Sequence, residues 1–413
     1  MIRFVKHFLQ QLETPGVGLD PSYLAGRDAV LADYRQRLMS APLHGKNSLV
    51  TGLRGVGKSV LLKHLATEAT SAGWIPVVRE MTKRSNHEDE LIRGLLADIA
   101  LRLKGVTISR QQQRIGLGER TEKVAEEFDL DHLLFIFAHH PGDKGDKLLH
   151  TIKYVSGIAT QLKYQGLVLL LDEFQILEDS SGQFSLTLVL DAASRLQSST
   201  TCAVHFVLAG LPTLLGKIIE AKPHAERLFP NNLSLGALDA AATRQAILEP
   251  LKLAGAPDRF APDLVELLVQ ETAGYPYFVQ YFADVAFSTF EHSPVSRADV
   301  ENILPEVYAQ LDEAFFAGRL FPLSLKERAV TLASARVPAP FTPTQVVDAV
   351  KSFGSDANMG TVQQYLLALQ AKNIIYKVRR GAYDYALPLF GRFLLRCLEN
   401  EDPGVTLRDV GQT

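Results

Sequence analysis

The chain has 413 residues, 46% of them hydrophobic and 22% charged, with a net charge of −3 at pH 7. That make-up excludes a disordered or collagen-like chain, leaves room for two or three domains and gives no overall attraction to polyanions. Cys202 and Cys397 are the only cysteines, too few for a disulfide framework or a zinc ribbon, and they suit a reducing cytoplasm. No membrane span is expected, because the greasiest run, residues 166–171 (GLVLLL), stops at Asp172, far short of the ~20 apolar residues needed. The opening MIRFVKHFLQQLET has Lys6 and His7 within its apolar part and no small-residue cleavage site, so it does not read as a secretory signal. The charge is uneven. From Gly318 onward there are 12 Lys/Arg against 8 Asp/Glu, a net +4, so the preceding 317 residues carry −7 and a polyanion would meet the C-terminal end.

In chain order, apolar spacing predicts a helix over 28–39, a strand over 47–51, a helix over 59–72, a strand over 74–80 and an amphipathic helix over 88–104. Residues 105–147, with a glutamine triplet and a turn-rich PGDKGDK, read as an insertion holding one helix near 130–137. A helix over 148–163, a buried parallel-type strand over 167–171, a helix over 185–196 and a strand over 203–209 follow. Strands alternating with helices imply a parallel α/β sheet domain over 1–237. After Leu238 the strands stop. Segments 240–253, 261–273, 277–290 and 297–316 are helical by period, giving a helical domain over 238–317. Beyond Pro322 come helices over 325–333, 344–353 and 360–372, then a hairpin of 374–378 and 383–387 turned at Arg380-Gly381. This is the element order of a winged helix, over 318–413.

The strongest chemical signal is Gly52-Leu53-Arg54-Gly55-Val56-Gly57-Lys58-Ser59, which fits G-x-x-x-x-G-K-[ST] between a predicted strand and a predicted helix. Amides that curl around a phosphate need positions without side chains, which Gly52, Gly55 and Gly57 supply. The positive helix end, reaching to Val60, and the Lys58 ammonium would offset phosphate charge, and the Ser59 hydroxyl can ligate Mg2+. The second signal is the apolar strand ending in Asp172-Glu173. It delivers two carboxylates to the carboxyl edge of the sheet, where open α/β sheets bind ligands. Asp172 can hold Mg2+ and Glu173 can polarise a water. Together the two signals indicate a P-loop NTPase using ATP and Mg2+.

The sequence resembles AAA+/STAND-like ATPases, especially the bacterial and archaeal group related to replication-initiator ATPases. Tyr23-Leu24-Ala25-Gly26-Arg27-Asp28 looks like that group's N-terminal box, which implies that Gly26 and Arg27 help enclose the adenine. Gly274-Tyr275-Pro276 is similar to the STAND G-x-P signature, which implies that Pro276 lies near the base. Ala225-Glu226-Arg227-Leu228-Phe229 stands where the group carries an arginine, making Arg227 a candidate finger for a neighbouring subunit; a solvated surface cation is the alternative. Arg54 could touch phosphate, a protein partner or solvent. Two departures bear on rate. No Asn, Ser or Thr ends the strand 203–209, which runs into Gly210-Leu211-Pro212 with Thr213 the nearest substitute, and no lid arginine is evident. Both suit a slow nucleotide switch better than a motor.

His139, His140, Asp143 and Asp146 read as a polar loop rather than a metal site, since their spacing does not converge four ligands. In the third helix of the C-terminal domain Gln363, Gln364, Gln370 and Lys372 could face DNA, and the wing carries Lys377, Arg379 and Arg380 with Tyr376, Tyr383 and Tyr385 interleaved. Double-stranded DNA is one expected partner. The alternatives are an ATP-sensing DNA-binding regulator without significant hydrolysis, and a signalling or defence scaffold in which ATP drives homo-oligomerisation or docking of a protein partner.

Overall fold

The structure, a computed structural model, describes residues 23–40, 47–104, 106–113, 121–199 and 202–400. The opening segment read above as no signal lies outside them. The described chain divides into two compact units. Arg27–Gly52 and Lys58–Leu235 form one; Leu53–Gly57 group with residues 23–26 and 236–400 in the other.

The first unit is built on five parallel strands, β1 (Ser48–Gly52), β2 (Ile75–Glu80), β3 (Leu167–Asp172), β4 (Val204–Gly210) and β5 (Asn231–Leu235), in the spatial order β2-β3-β4-β1-β5. β3 is buried at all six positions, which is why it is a continuous apolar run. Leu167, Leu169 and Leu171 join a core with Leu91, Leu95, Val155 and Val189. Val168 and Leu170, which are equally buried, point to the opposite face by the two-residue period of a strand. Each such side chain contributes about 1.5–3 kcal/mol when fully buried. Helix Lys58–Ser71 buries Leu61, Leu62, Leu65 and Ala69. Among the described residues no helix is long and apolar enough to cross a membrane.

Several elements differ from the sequence expectation. The segment 105–147 is not one helix in a loop. Thr107–Gln113 pairs antiparallel with Thr121–Glu127 as a hairpin, and helices Leu130–His139 and Lys144–Gln161 follow. The hairpin escaped notice because TISRQQQ and TEKVAEE are largely polar and carry no apolar alternation. The edge strand β5, NNLSL, was missed for the same reason, with one fully buried position of five. Helix Leu214–Ala221 was also not anticipated. The proposed polar loop is partly helical. The Asp143 side chain caps helix Lys144–Gln161 by accepting from the Asp146 N–H, and Asp146 pairs with Arg195 at 2.7 Å. His140 stacks on His150, with ring centroids 3.8 Å apart.

In the second unit one cluster of buried residues runs through Leu264, Phe278, Phe316, Val330, Phe341, Leu366 and Phe390. Its helices are Ala240–Leu253, Pro262–Thr272, Pro276–Thr289, Arg297–Leu311, Leu325–Ser334, Pro343–Ser352, Met359–Ala371 and Phe390–Asn400. The expected helix over 297–316 breaks at Leu311 into a π-helical turn, Asp312–Ala317, which turns Phe315 onto Tyr277 (4.7 Å, stacked) and Phe316 onto Phe393 (5.2 Å). Helix Met359–Ala371 leads into the antiparallel pair Ile375–Arg379 and Ala382–Tyr385.

Candidate functional site

β1 delivers the chain to the glycine loop, and helix Lys58–Ser71 leaves it. Gly55 (φ +78°) and Gly57 (φ +89°) adopt a left-handed backbone that side-chain-bearing residues rarely take. This lets successive amides turn toward one point. The helix has no acidic residue in its first turn, so its positive end is not neutralised by its own chain. Lys58 is only 6% exposed, and its Nζ donates to the Gly52 carbonyl at 3.0 Å, which holds the ammonium beside the loop. Val56 is buried and Val60 half-buried, both serving as packing.

β3 carries the acidic pair to the same sheet edge, with β4 between β1 and β3. The Ser59 hydroxyl donates to Asp172 Oδ2 at 2.5 Å, and the Glu173 N–H donates to Asp172 Oδ1 at 2.8 Å. Residues 113 positions apart thus meet through one hydroxyl. Burial pushes the Asp172 carboxyl above its ordinary pKa, and the Glu173 charge adds to the effect, against the Ser59 hydrogen bond and Lys58. Glu80, which faces Asp172 in the β2–β3 register, is also raised, first by burial and then by repulsion from Asp172 and Glu173. Three carboxylates therefore crowd one strand end. Sequence reasoning missed Glu80, because nothing in the sequence gives the β2–β3 register.

That arrangement fits Mg2+. The Asp172 and Glu80 carboxyls, both raised, gain from a cation, and a hydroxyl already sits on Asp172. Among the described residues no group of three or more His, Cys, Asp and Glu side chains could hold an ion alone. Mg2+ ordinarily keeps several waters and binds through one or two protein groups plus substrate phosphates. Ser59 and Asp172 are the groups that would hold it.

The loop's other half groups with the second unit. The Tyr277 N–H donates to the Gly55 carbonyl at 3.2 Å, so an otherwise unpaired donor of a helix first turn, just after Pro276, is spent on the glycine loop. Gly26 and Gly274 share a neighbour. A Cβ on Gly26 would approach Leu238 Cδ2 to 3.4 Å, and the Leu238 N–H donates to the Gly274 carbonyl at 2.8 Å. The structure thereby brings the motif around Gly26 to the motif that ends at Pro276. Arg27 heads helix Asp28–Met39 without a side-chain cap bond, and burial lowers its guanidinium pKa. Arg54 lies near Arg319, whose pKa is lowered by partial burial and then by the Arg54 charge. Arg227 stands apart on the turn Ala225–Leu228; it is exposed and, among the described residues, makes no ion pair, while Phe229 behind it is buried.

At the end of β4, Thr213 precedes helix Leu214–Ala221 with no side-chain cap bond. The amide there is met instead by a residue the sequence did not single out, Gln175, whose Oε1 accepts from the Leu211 N–H at 3.2 Å.

In the C-terminal region Lys377, Arg379, Arg380, Gln363 and Gln364 are exposed. Other expected contacts are engaged elsewhere. Lys372 Nζ donates to both Glu327 oxygens at 2.7 Å, and Gln370 is half-buried. Tyr383 and Tyr385 are core residues rather than interleaved surface groups, and the Tyr385 hydroxyl lies 2.9 Å from Ser334 Oγ.

Residues 23–204 match the family described as AAA ATPase domain. No curated protein is recognisably similar in sequence. Among solved structures, the Walker-type ATPase PABY2304 of Pyrococcus abyssi is 14% identical, with a TM-score of 0.56 over 92% of this chain and 99% of that one. The ORC2 protein of Aeropyrum pernix, determined as ADPNP–ADP complexes, is 14% identical, with a TM-score of 0.55 over 95% of this chain and 97% of that one. At such identity the likeness is one of fold: a parallel P-loop AAA+ sheet followed by a helical C-terminal region.

Proposed function

We propose that this chain, whose residues 23–204 match the AAA ATPase domain family, binds ATP with Mg2+, hydrolyses it slowly and uses the bound nucleotide to change its shape or assembly. The observation that carries this is the Ser59 hydroxyl on the Asp172 carboxylate beside the glycine loop. It supports reading the glycine loop and the acidic pair as the phosphate-binding and metal-binding halves of one site. The ORC2 relative in fold was determined with nucleotide, which is in keeping with that reading.

The residues then act as follows. The loop amides and Lys58 hold the β- and γ-phosphates, and Ser59 and Asp172 hold the metal. Bound Mg2+ supplies charge neutralisation at the phosphates. Glu173 orients a water and takes its proton as the oxygen bonds to the γ-phosphorus; the bond to the β-phosphate oxygen breaks, leaving ADP and inorganic phosphate. The absence of a side-chain amide or hydroxyl in Gly210-Leu211-Pro212 supports slow turnover. Exposed Arg227 would complete the site of a neighbouring subunit in a homo-oligomer. Phosphate release by the whole chain tests this. Turnover should require Mg2+ and rise with protein concentration, and Arg227→Ala should lower kcat by about 10³-fold without weakening ATP binding. Turnover independent of protein concentration and of Arg227 would remove the finger.

The exposed cations Lys377, Arg379 and Arg380, with Gln363 and Gln364, support contact with double-stranded DNA. Mobility-shift titrations with ATP, with ADP and without nucleotide should show salt-sensitive binding to duplex. In Arg379→Glu/Arg380→Glu that binding should weaken, and the log K–log salt slope should fall by roughly 1 for each phosphate that is no longer neutralised. An unchanged slope would assign the wing to a protein partner instead. The reducing composition noted above fits action in the cytoplasm.

A further inference from the structure

Gln175 lies two residues beyond Glu173 on the short turn Phe174–Ile176, and its side chain makes two bonds in opposite directions. Its Oε1 accepts from the main-chain Leu211 N–H at 3.2 Å, and its Nε2 donates to Glu173 Oε2. The first bond fixes the second. A backbone N–H can only donate, so the amide oxygen must face Leu211, which leaves the NH2 for the carboxylate. The main chain of Gln175 is held from the same side, because Lys217 Nζ donates to its carbonyl at 2.7 Å. Space is reserved for it as well. A Cβ on Gly210 would lie 2.4 Å from Gln175 Oε1, so the glycine that ends β4 is needed for the amide to reach across. Glu173 itself takes a left-handed backbone (φ +50°, ψ +34°), uncommon for a side-chain-bearing residue and maintained only where the surroundings impose it.

We infer that Gln175 is the positioning residue of the hydrolytic site: it holds one oxygen of the Glu173 carboxylate, leaves Oε1 to orient the water, and ties that carboxylate to the end of β4. The segment Gly210-Leu211-Pro212 has no side-chain donor of its own; the Gln175 amide links its main chain to the Glu173 carboxylate instead. A shift of β4's end would then move the base. This rests on the reading of Glu173 as the group that takes the water's proton.

The charged groups around Glu173 are Asp172 on β3 and Glu80 on β2; Lys58 acts on Asp172, and Lys217 also pairs with Glu178 at 3.4 Å. Against that background Gln175→Glu is an informative variant. It keeps an acceptor for the Leu211 N–H but turns a carboxylate oxygen toward Glu173, so the donor is lost and two like charges repel. In the full chain, kcat for phosphate release should fall about 10- to 100-fold in Gln175→Ala with the ATP Kd within about twofold of wild type. Gln175→Glu should lose turnover as well, again with the ATP Kd within about twofold of wild type. Gly210→Ala should reproduce the kcat loss by displacing the amide. Wild-type kcat in Gln175→Ala, equal loss of ATP binding and turnover, or wild-type turnover in Gln175→Glu would overturn the inference. Glu173→Gln, assayed alongside, separates the two readings. If it abolishes turnover while the Gln175 variants are normal, only the positioning role fails; if it hydrolyses normally, the base assignment itself fails.

Discussion

Lys58→Ala is expected to abolish ATP binding, weakening it at least about 100-fold. The ammonium is the one side-chain charge of the glycine loop that is held inward, by the Gly52 carbonyl at 3.0 Å, in a position only 6% exposed. A triphosphate would bring several negative charges to that place, and a charge-assisted bond in a water-poor setting is among the strongest a side chain makes. Alanine leaves the anion with main-chain donors alone. Removing the lysine also takes away the cation that acts on buried Asp172, so the unliganded protein should lose some stability too, and binding is measured directly. Calorimetric titration with ATP·Mg2+ measures the loss, and the nucleotide-induced rise in melting temperature should vanish with it, since stabilisation by ligand follows affinity. Unchanged affinity would place the phosphates elsewhere.

Glu173→Gln should give the opposite pattern: ATP held as tightly as in the wild type and turnover lowered by about 10²- to 10⁴-fold. The substitution keeps the size of the side chain and the acceptor oxygen that meets Gln175 Nε2, but the amide cannot take a proton from water. Asp172, which touches Ser59, is left intact, so the metal's protein contacts persist. Single-turnover phosphate release beside equilibrium binding distinguishes the two variants. Lys58→Ala loses both steps, and Glu173→Gln loses only the second.

The site's ends were legible in the sequence because each is a local pattern. A glycine loop between a strand and a helix, and an apolar run closing on two acids, need no knowledge of the rest of the chain. What joins them was not legible. The meeting of Ser59 with Asp172 depends on where β1 and β3 stand in the sheet, an order that no local pattern states. Glu80 became part of the site only through the β2–β3 register. Nothing in the sequence singled out Gln175, because its partner Leu211 belongs to a different strand end. Among the elements, long apolar-periodic ones such as helix Glu88–Arg102 and strand β3 were read within a few residues. The polar hairpin Thr107–Gln113/Thr121–Glu127 and edge strand β5 were not, since largely polar segments give a hydrophobic pattern little to mark. Tyr383 and Tyr385 failed in the other direction. Tyrosines beside cations suggested a surface, but burial of their rings in the core outweighs the hydroxyl's need for water, which Ser334 meets for Tyr385.

The most direct measurement is anomalous diffraction from crystals of the whole chain grown with a non-hydrolysable ATP analogue and Mn2+ in place of Mg2+. The account predicts a manganese peak within ligand distance of Ser59 Oγ, on the Asp172 side, with the analogue's phosphates inside the curve of Gly55–Lys58. Nucleotide bound with manganese at any other carboxylates, or phosphates lying outside that curve, would contradict it.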